Sequence, residues 1–393
     1  MNDNNLFKYI VVTPSVINNQ IRISYHTLVY NSYLEYTKED DIEFKNSIII
    51  RPKEIEFDYE TIDKRIVCNL KISNLELNTK YIFRIRYLDN YSEIHSFKSF
   101  NNNDEYDMLM FCDFQHFNNN VTHPFIKMMK EKCDSKFMIC SGDLVDTGGR
   151  ILEWDWFFKD DTFNDMILAT TCGDHEYWKT PFPNVIHMER PFIYNSIFNN
   201  EKNGITNALN TNYYIYYNRT LIIFLDMDNS NNSYGALFDD EVSWFDETLK
   251  NQSNNYDYLM VVMHKSIYGS KEVDPNVRKY LTNKFNYLFD KYQVDLVLSG
   301  HDHIYSRTYP IRNDEINDEG IIYLDLGSSG NKYRNPTIDL YEDNLHAKVI
   351  NLKEKNYCLG AYLRIKYDKI IVDIYNNFNI LMDSFIINKK NRG

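Results

Sequence analysis

VDLVLSGHDHIYSR, residues 294–307, is a short apolar run that halts at a glycine and then presents two histidines with one residue between them. Four other runs stop in the same way. Met108 to Cys112 precedes Asp113, Lys136 to Cys140 precedes Asp143, Met166 to Thr171 precedes Asp174, and Tyr258 to Met263 precedes His264. Such short runs, apolar and β-branched and broken by Gly or Asp, are predicted as interior strands rather than helices. Helical stretches fall between them, Trp154 to Lys159 after the second run and Asp239 to Leu249 before the fourth. Strands alternating with helices predict an α/β class, a sheet with helices packed on both faces. Ligands in such folds collect beyond the carboxyl ends of the strands, which would place Asp113, Asp143, Asp174, His264, His301 and His303 on one rim.

Carboxylates mixed with imidazoles suit first-row divalent ions such as Fe, Mn, Zn or Co, because the oxygens bring charge and the neutral rings bring borderline donors. Six such side chains exceed one site. With one bridging carboxylate they suit two ions roughly 3.5 to 4 Å apart, a geometry that clamps the attacking and leaving oxygens of phosphoryl transfer. The His301, His303 spacing agrees, since a turn just past a strand can aim alternate side chains at neighbouring ions. Gly142, Gly173 and Gly300 each precede a ligand, where glycine lets the chain leave the strand sharply and approach metal or phosphate closely. A single Asp at a strand end is more often a turn residue or helix cap. Five such positions in order are a different matter.

These blocks resemble those of the calcineurin-like metallophosphoesterases, in the purple acid phosphatase-like branch: Asp113, GD at 142–143, GDHE at 173–176, the isolated His264, and GHDHIYSR at 300–307. The likeness runs over nearly the whole chain, and GHDHIYSR is its most specific part. It implies that Asp113, Asp143 and His303 hold one metal while Asp143, Asp174, His264 and His301 hold the other, with Asp143 as the bridge. It also implies that His175 contacts phosphate or protonates the leaving oxygen. A divalent ion pulls the pKa of its water toward roughly 7, and the resulting hydroxide would attack phosphorus in line. The expected reaction is hydrolysis of a small phosphorylated substrate, phosphomonoesters first. Phosphodiester hydrolysis on the same site is the nearest alternative, and a non-catalytic metal-binding interaction protein is another.

Three residues depart from the family pattern. Asp174 replaces the usual Asn, which lowers the charge of the site and weakens its attraction for a phosphate dianion. Asp146 stands where purple enzymes carry their coloured tyrosine, so a colourless centre of two divalent ions is expected. Asp274 lies near where a substrate-facing histidine is often found. The first block also reads DFQH where many relatives carry DxH. Gln115 is therefore expected to face the first metal or its water, and His116, one residue late, to point elsewhere. Tyr305 and Arg307 could face substrate or support the loop. His26, His95, His187 and His346 fall outside every block.

Residues 1–100 carry alternating aromatic and β-branched segments, IRISYHTLVY, SYLEYT, RIVCNLKISNL, KYIFRIRYLD and EIHSFKSF, spaced as in a β-sandwich. They resemble the all-β fibronectin-like domain that precedes the catalytic domain in purple acid phosphatase-like enzymes. The expected division is a sandwich over 1–100, a polar linker from Asn101, and a catalytic domain over 105–390. A length of 393 residues suits two cores. The net charge of −13 opposes non-specific nucleic-acid binding. The N-terminal apolar run is too short for a signal-peptide core, and no segment approaches the roughly 20 residues of a membrane span. The six cysteines show no CxxC pairing and read as reduced core thiols. A cytoplasmic location is the expectation.

Overall fold

The structure is a computed structural model that describes residues 6–57, 64–100, 105–116, 120–227, 236–252, 255–270, 281–337, 344–355 and 357–392. The five runs form strands Tyr106–Phe111, Phe137–Cys140, Ile167–Thr170, Tyr258–Lys265 and Leu296–Gly300. The helices between them run over Ile151–Phe157 and Ala236–Gln252. Instead of one sheet there are two. The first three strands lie side by side and parallel in a ten-stranded sheet, and the last two are parallel neighbours in a seven-stranded one.

Period-two alternation explains the layering. On Tyr106–Phe111, Met108 and Met110 face the second sheet, where they share a core with Ile222, Phe224, Met260, Val262 and Leu298. Their neighbours Leu109 and Phe111 turn the other way, onto Phe125, Met129, Trp154 and Phe157 of the helical layer. The second sheet repeats the scheme, with Leu259, Val261 and Val297 packed on Phe245, Leu249 and Phe289. Helices therefore cover the outer face of each sheet, and each strand is apolar on both sides because both sides are buried. Phe137 and Tyr217 stack across the gap, ring centroids 4.0 Å apart. Each of these fully buried side chains contributes about 1.5–3 kcal/mol relative to exposure.

The segments predicted as strands in residues 1–100 are strands, but one sheet there is not separate. Phe7–Pro14 pairs in parallel with Ile167–Thr170, and Ile21–Thr27, Arg65–Ile72 and Lys53–Phe57 continue the same ten-stranded sheet. Tyr33–Lys38, Lys80–Tyr87 and their neighbours form the facing layer, with Leu34, Phe83, Ile85 and Phe97 buried between the two. The segment after helix Phe192–Ile197 is bonded to this junction: Asn199 Nδ2 donates to the Ile23 and Leu70 carbonyls at 3.3 and 3.2 Å. The first four residues of the expected linker, 101–104, lie outside the described residues. All six cysteines are buried, and none forms a disulfide. Among the described residues no helix is long and apolar enough to cross a membrane.

Candidate metal centre

Just past three of these strands, Tyr106–Phe111, Phe137–Cys140 and Leu296–Gly300, the backbone turns into the left-handed region. Asp113, Asp143, His301 and His303 have φ of 48°, 53°, 76° and 57°, and Gly142 has 95°. Non-glycine residues rarely adopt such angles, and those that do collect at functional sites. The surrounding hydrogen bonds hold them there. Asp113 N–H donates to the Gly142 carbonyl at 3.1 Å and Phe114 N–H to the Asp143 carbonyl at 2.8 Å. His301 N–H lies 3.0 and 3.1 Å from the two Asp113 carboxylate oxygens. The glycines are required by contact as well, since a Cβ on Gly142 would sit 2.6 Å from Gly173 N and 2.7 Å from His264 Nδ1. One on Gly300 would fall onto the Asp113 carboxylate.

The six side chains converge in two groups, Asp113 with Asp143 and His303, and Asp174 with His264 and His301; within each, the ligand atoms lie within 4.8 Å of one another. Asp143 also groups with Asp174 and His175. His264 connects the two groups. Its Nδ1 bonds the Ser141 carbonyl at 2.8 Å, which aims Nε2 at Asp143 Oδ2, 3.3 Å away, and Asp174 Oδ1, 3.4 Å away. Those separations exceed a good N–H···O bond, so fully buried His264 Nε2 and Asp174 Oδ1 are left without hydrogen-bond partners. His301 Nδ1 lies 3.2 Å from the same Asp174 oxygen, and His303 Nε2 lies 3.6 Å from Asp113 Oδ1. Three carboxylates and three imidazoles that converge, with His264 Nε2 and Asp174 Oδ1 unsatisfied among them, fit divalent first-row ions.

The electrostatics agree. Burial acts to raise the Asp143 pKa, but His264 and His175 beside it outweigh that and hold it below the usual carboxylate range. Asp174 behaves likewise: burial is outweighed by His264 and His301. Asp113, buried and near Asp143, is pushed up to about 6. His303 is driven down to about 2 by burial and then by Lys332, which keeps the ring neutral as a ligand must be.

His175 is fixed beside this centre. Its Nδ1 bonds the Asp146 carbonyl at 2.6 Å, its ring stacks on Trp178 at 3.7 Å, and its Nε2 lies 3.9 Å from Asp143 Oδ2. Glu176, quoted in the GDHE block but given no role from sequence, proves to be the knot of the site. Its buried carboxylate accepts the N–H groups of Asp143, Leu144 and Gly173 at 2.9, 2.8 and 2.7 Å and so ties two ligand loops together. Gln115 is fully buried and its Nε2 bonds Asp143 Oδ2. His116 is largely exposed, and its N–H donates to the Asp146 carboxylate at 2.8 Å. Arg307 and Tyr305 support the loop, both bonding Asp383, at 2.8 and 2.7 Å. Asp274 lies outside the described residues. Lys332, 3.3 Å from His175 Nε2, was not singled out from sequence, because nothing in GSSGNKYRN marks it as a site residue.

The calcineurin-like phosphoesterase family model matches residues 94–305. A probable purple acid phosphatase 20 of Arabidopsis thaliana is 25% identical over 229 residues, which are 54% of this chain and 51% of that protein. The chain thus spans about half the length of that relative. In fold, it is similar to a purple acid phosphatase from yellow lupin (Lupinus luteus) seeds, with a TM-score of 0.76 at 15% identity over 99% of this chain and 75% of that one. PhoD is similar as well, with a TM-score of 0.66 at 12% identity over 97% and 90%.

Proposed function

We propose, starting from a chain that belongs to the calcineurin-like phosphoesterase family, that it hydrolyses phosphate esters at a centre of two divalent metal ions, with phosphomonoesters as its preferred substrates. The observation that carries this reading is the pair of ligand groups meeting at Asp143. Asp113, Asp143 and His303 would hold one ion, and Asp143, Asp174, His264 and His301 the other. When bound, such ions supply Lewis acidity toward phosphoryl oxygens and a water acidified to near neutrality.

The protein's own groups do the positioning. Ser141 fixes the His264 tautomer through its carbonyl, and Glu176 holds the loops that carry Asp143 and Asp174 in register. Gln115 orients the bridging carboxylate. His175, held by the Asp146 carbonyl and Trp178, keeps Nε2 toward the centre, where it would meet phosphate or the leaving oxygen. The Asp146 carboxylate is turned to the His116 N–H, and an aspartate there supplies no phenolate, so the centre is colourless. Residues 105–390 would form the catalytic unit, and the fibronectin-like sandwich of 1–100 would buttress it through the shared sheet.

The test is hydrolysis of a chromogenic phosphomonoester and its bis-ester by chelator-stripped protein, with Mn, Fe, Co, Zn or Mg restored one at a time and bound metal counted. Two ions per chain with faster monoester turnover is the expected result. Faster bis-ester turnover would make it a diesterase. Failure to bind metal would leave a non-catalytic interaction protein. A strong visible band in the iron-loaded protein would overturn the colourless centre.

A further inference from the structure

We propose that Lys332 and Arg334 form a cationic clamp that holds the non-reacting oxygens of a phosphate dianion over the metal centre. The clamp rests on the hydrolase reading above for its reaction, but its anion binding can be measured separately.

The loop that carries these residues is built along the ligand strands. Ser329 N–H donates to the Cys112 carbonyl at 2.9 Å, Gly330 N–H to Asp113 at 2.9 Å and Asn331 N–H to Gln115 at 3.0 Å. Gly330 permits this approach, because a Cβ there would press 2.5 Å from the Phe114 backbone. Beyond it, Tyr333 turns inward to Cys358, its hydroxyl 3.6 Å from Sγ. Lys332 Nζ instead reaches the side of the candidate site, 3.3 Å from His175 Nε2. Arg334 N–H donates to the His303 carbonyl at 3.3 Å, and its Nη1 is buried without a hydrogen-bond partner. A guanidinium N–H in that condition calls for an acceptor.

Charge supplies the second argument. Three ligand carboxylates, Asp174 among them, leave two divalent ions with a single net positive charge, which is poor attraction for a dianion on a chain of net charge −13. Two cations at the mouth restore the balance. They favour a terminal phosphate, with its extra negative charge, over a diester, which has only one.

Inorganic phosphate titrated calorimetrically into the metal-loaded chain of 393 residues reads the clamp without turnover. Lys332→Met and Arg334→Met should each weaken phosphate binding by about tenfold or more, as the loss of a charge-assisted bond implies, with bound metal unchanged. Lys332→Arg should recover most of the affinity. In the two Met variants KM for the monoester should rise well beyond that for the bis-ester. Phosphate affinity within about twofold of the parent in both Met variants overturns the clamp, as does a loaded parent that binds no phosphate at millimolar concentration. Turnover in a parent whose variants behave identically removes the clamp and keeps the hydrolase. Phosphate binding that depends on Lys332 in a parent that hydrolyses no ester keeps the clamp and removes the hydrolase.

Discussion

The strands that end at Asp113, Asp143 and Asp174 share one ten-stranded sheet with Phe7–Pro14, Ile21–Thr27, Lys53–Phe57 and Arg65–Ile72, yet the candidate ligand positions and the N-terminal layers are specified in different ways. At Asp113, Asp143, His301 and His303 the backbone is held at positive φ and the side chains are held to atomic tolerance by Glu176, Ser141 and glycines that no other residue could replace. In the N-terminal layers the requirement is an alternation that buries Leu34, Phe83, Ile85 and Phe97, and many apolar side chains of similar volume would satisfy it. Chemistry needs identity at a position, whereas packing needs volume and a face. Damage to the first region should therefore abolish activity in a folded protein, and damage to the second should cost stability felt by the whole chain.

The sharpest test is Asp143→Asn. With the shared carboxylate gone, bound metal should fall below two per chain and turnover drop by at least about a thousandfold, or about 4 kcal/mol, while far-UV circular dichroism stays unchanged. Full metal content in that variant would refute the bridge. Next is Phe83→Ala, a fully buried ring in the N-terminal layers, which should lower stability by about 3–5 kcal/mol. All four tryptophans lie between residues 154 and 244, outside that region. If the shared sheet couples the two regions, urea transitions followed by tryptophan fluorescence and by circular dichroism will move together. A tryptophan transition left in place would break the comparison.

The junction also has a titration signature. His26, fully buried with Nε2 3.0 Å from the Ser196 carbonyl, has its pKa lowered from 6.5 to about 4 by burial. The unfolded chain takes up this proton near pH 6.5 and the folded chain only near 4, so the stabilisation is complete above 6.5 and is lost as pH falls through 4. Relative to His26→Phe, the parent should lose about 3 kcal/mol between pH 7 and 4; parallel stability profiles would exclude the effect. The smallest change expected is from His175→Ala, which should retain both metals and lose about a hundredfold in turnover. Unchanged turnover would take His175 out of the mechanism.

The convergence of these side chains was legible because five apolar runs in order each stop at a metal-ligand residue type, although one such Asp alone would read as a turn, and His301 with His303 has no simpler use. Three features were not legible. The runs are apolar on both faces, so the sequence does not say which face meets helices and which meets a second sheet, and one sheet was expected where two exist. Phe7–Pro14 looked like a short apolar start, because its partner at Ile167 lies far along the chain and no local pattern points to it. Lys332 and Arg334 sit in a loop without periodicity, and only tertiary bonds to Asp113 and Gln115 bring that loop to the candidate ligands. Glu176 was visible in the sequence, but its task of receiving three backbone N–H groups belongs to the folded loops alone.

The order of strands in the large sheet also bears on how the protein is made. Phe7–Pro14 leaves the ribosome before its partner Ile167–Thr170 and must wait for it, and Tyr106–Phe111 must wait for Leu359–Ile365. Pairings so distant along the chain are slow to form. The strand that delivers Asp113 has its final neighbour only once Leu359–Ile365 has been made, and the second sheet brings His264, His301 and His303 after Asp113 as well. Metal would therefore be acquired only after these later strands are made, and a nascent chain without them would lack a complete ligand set.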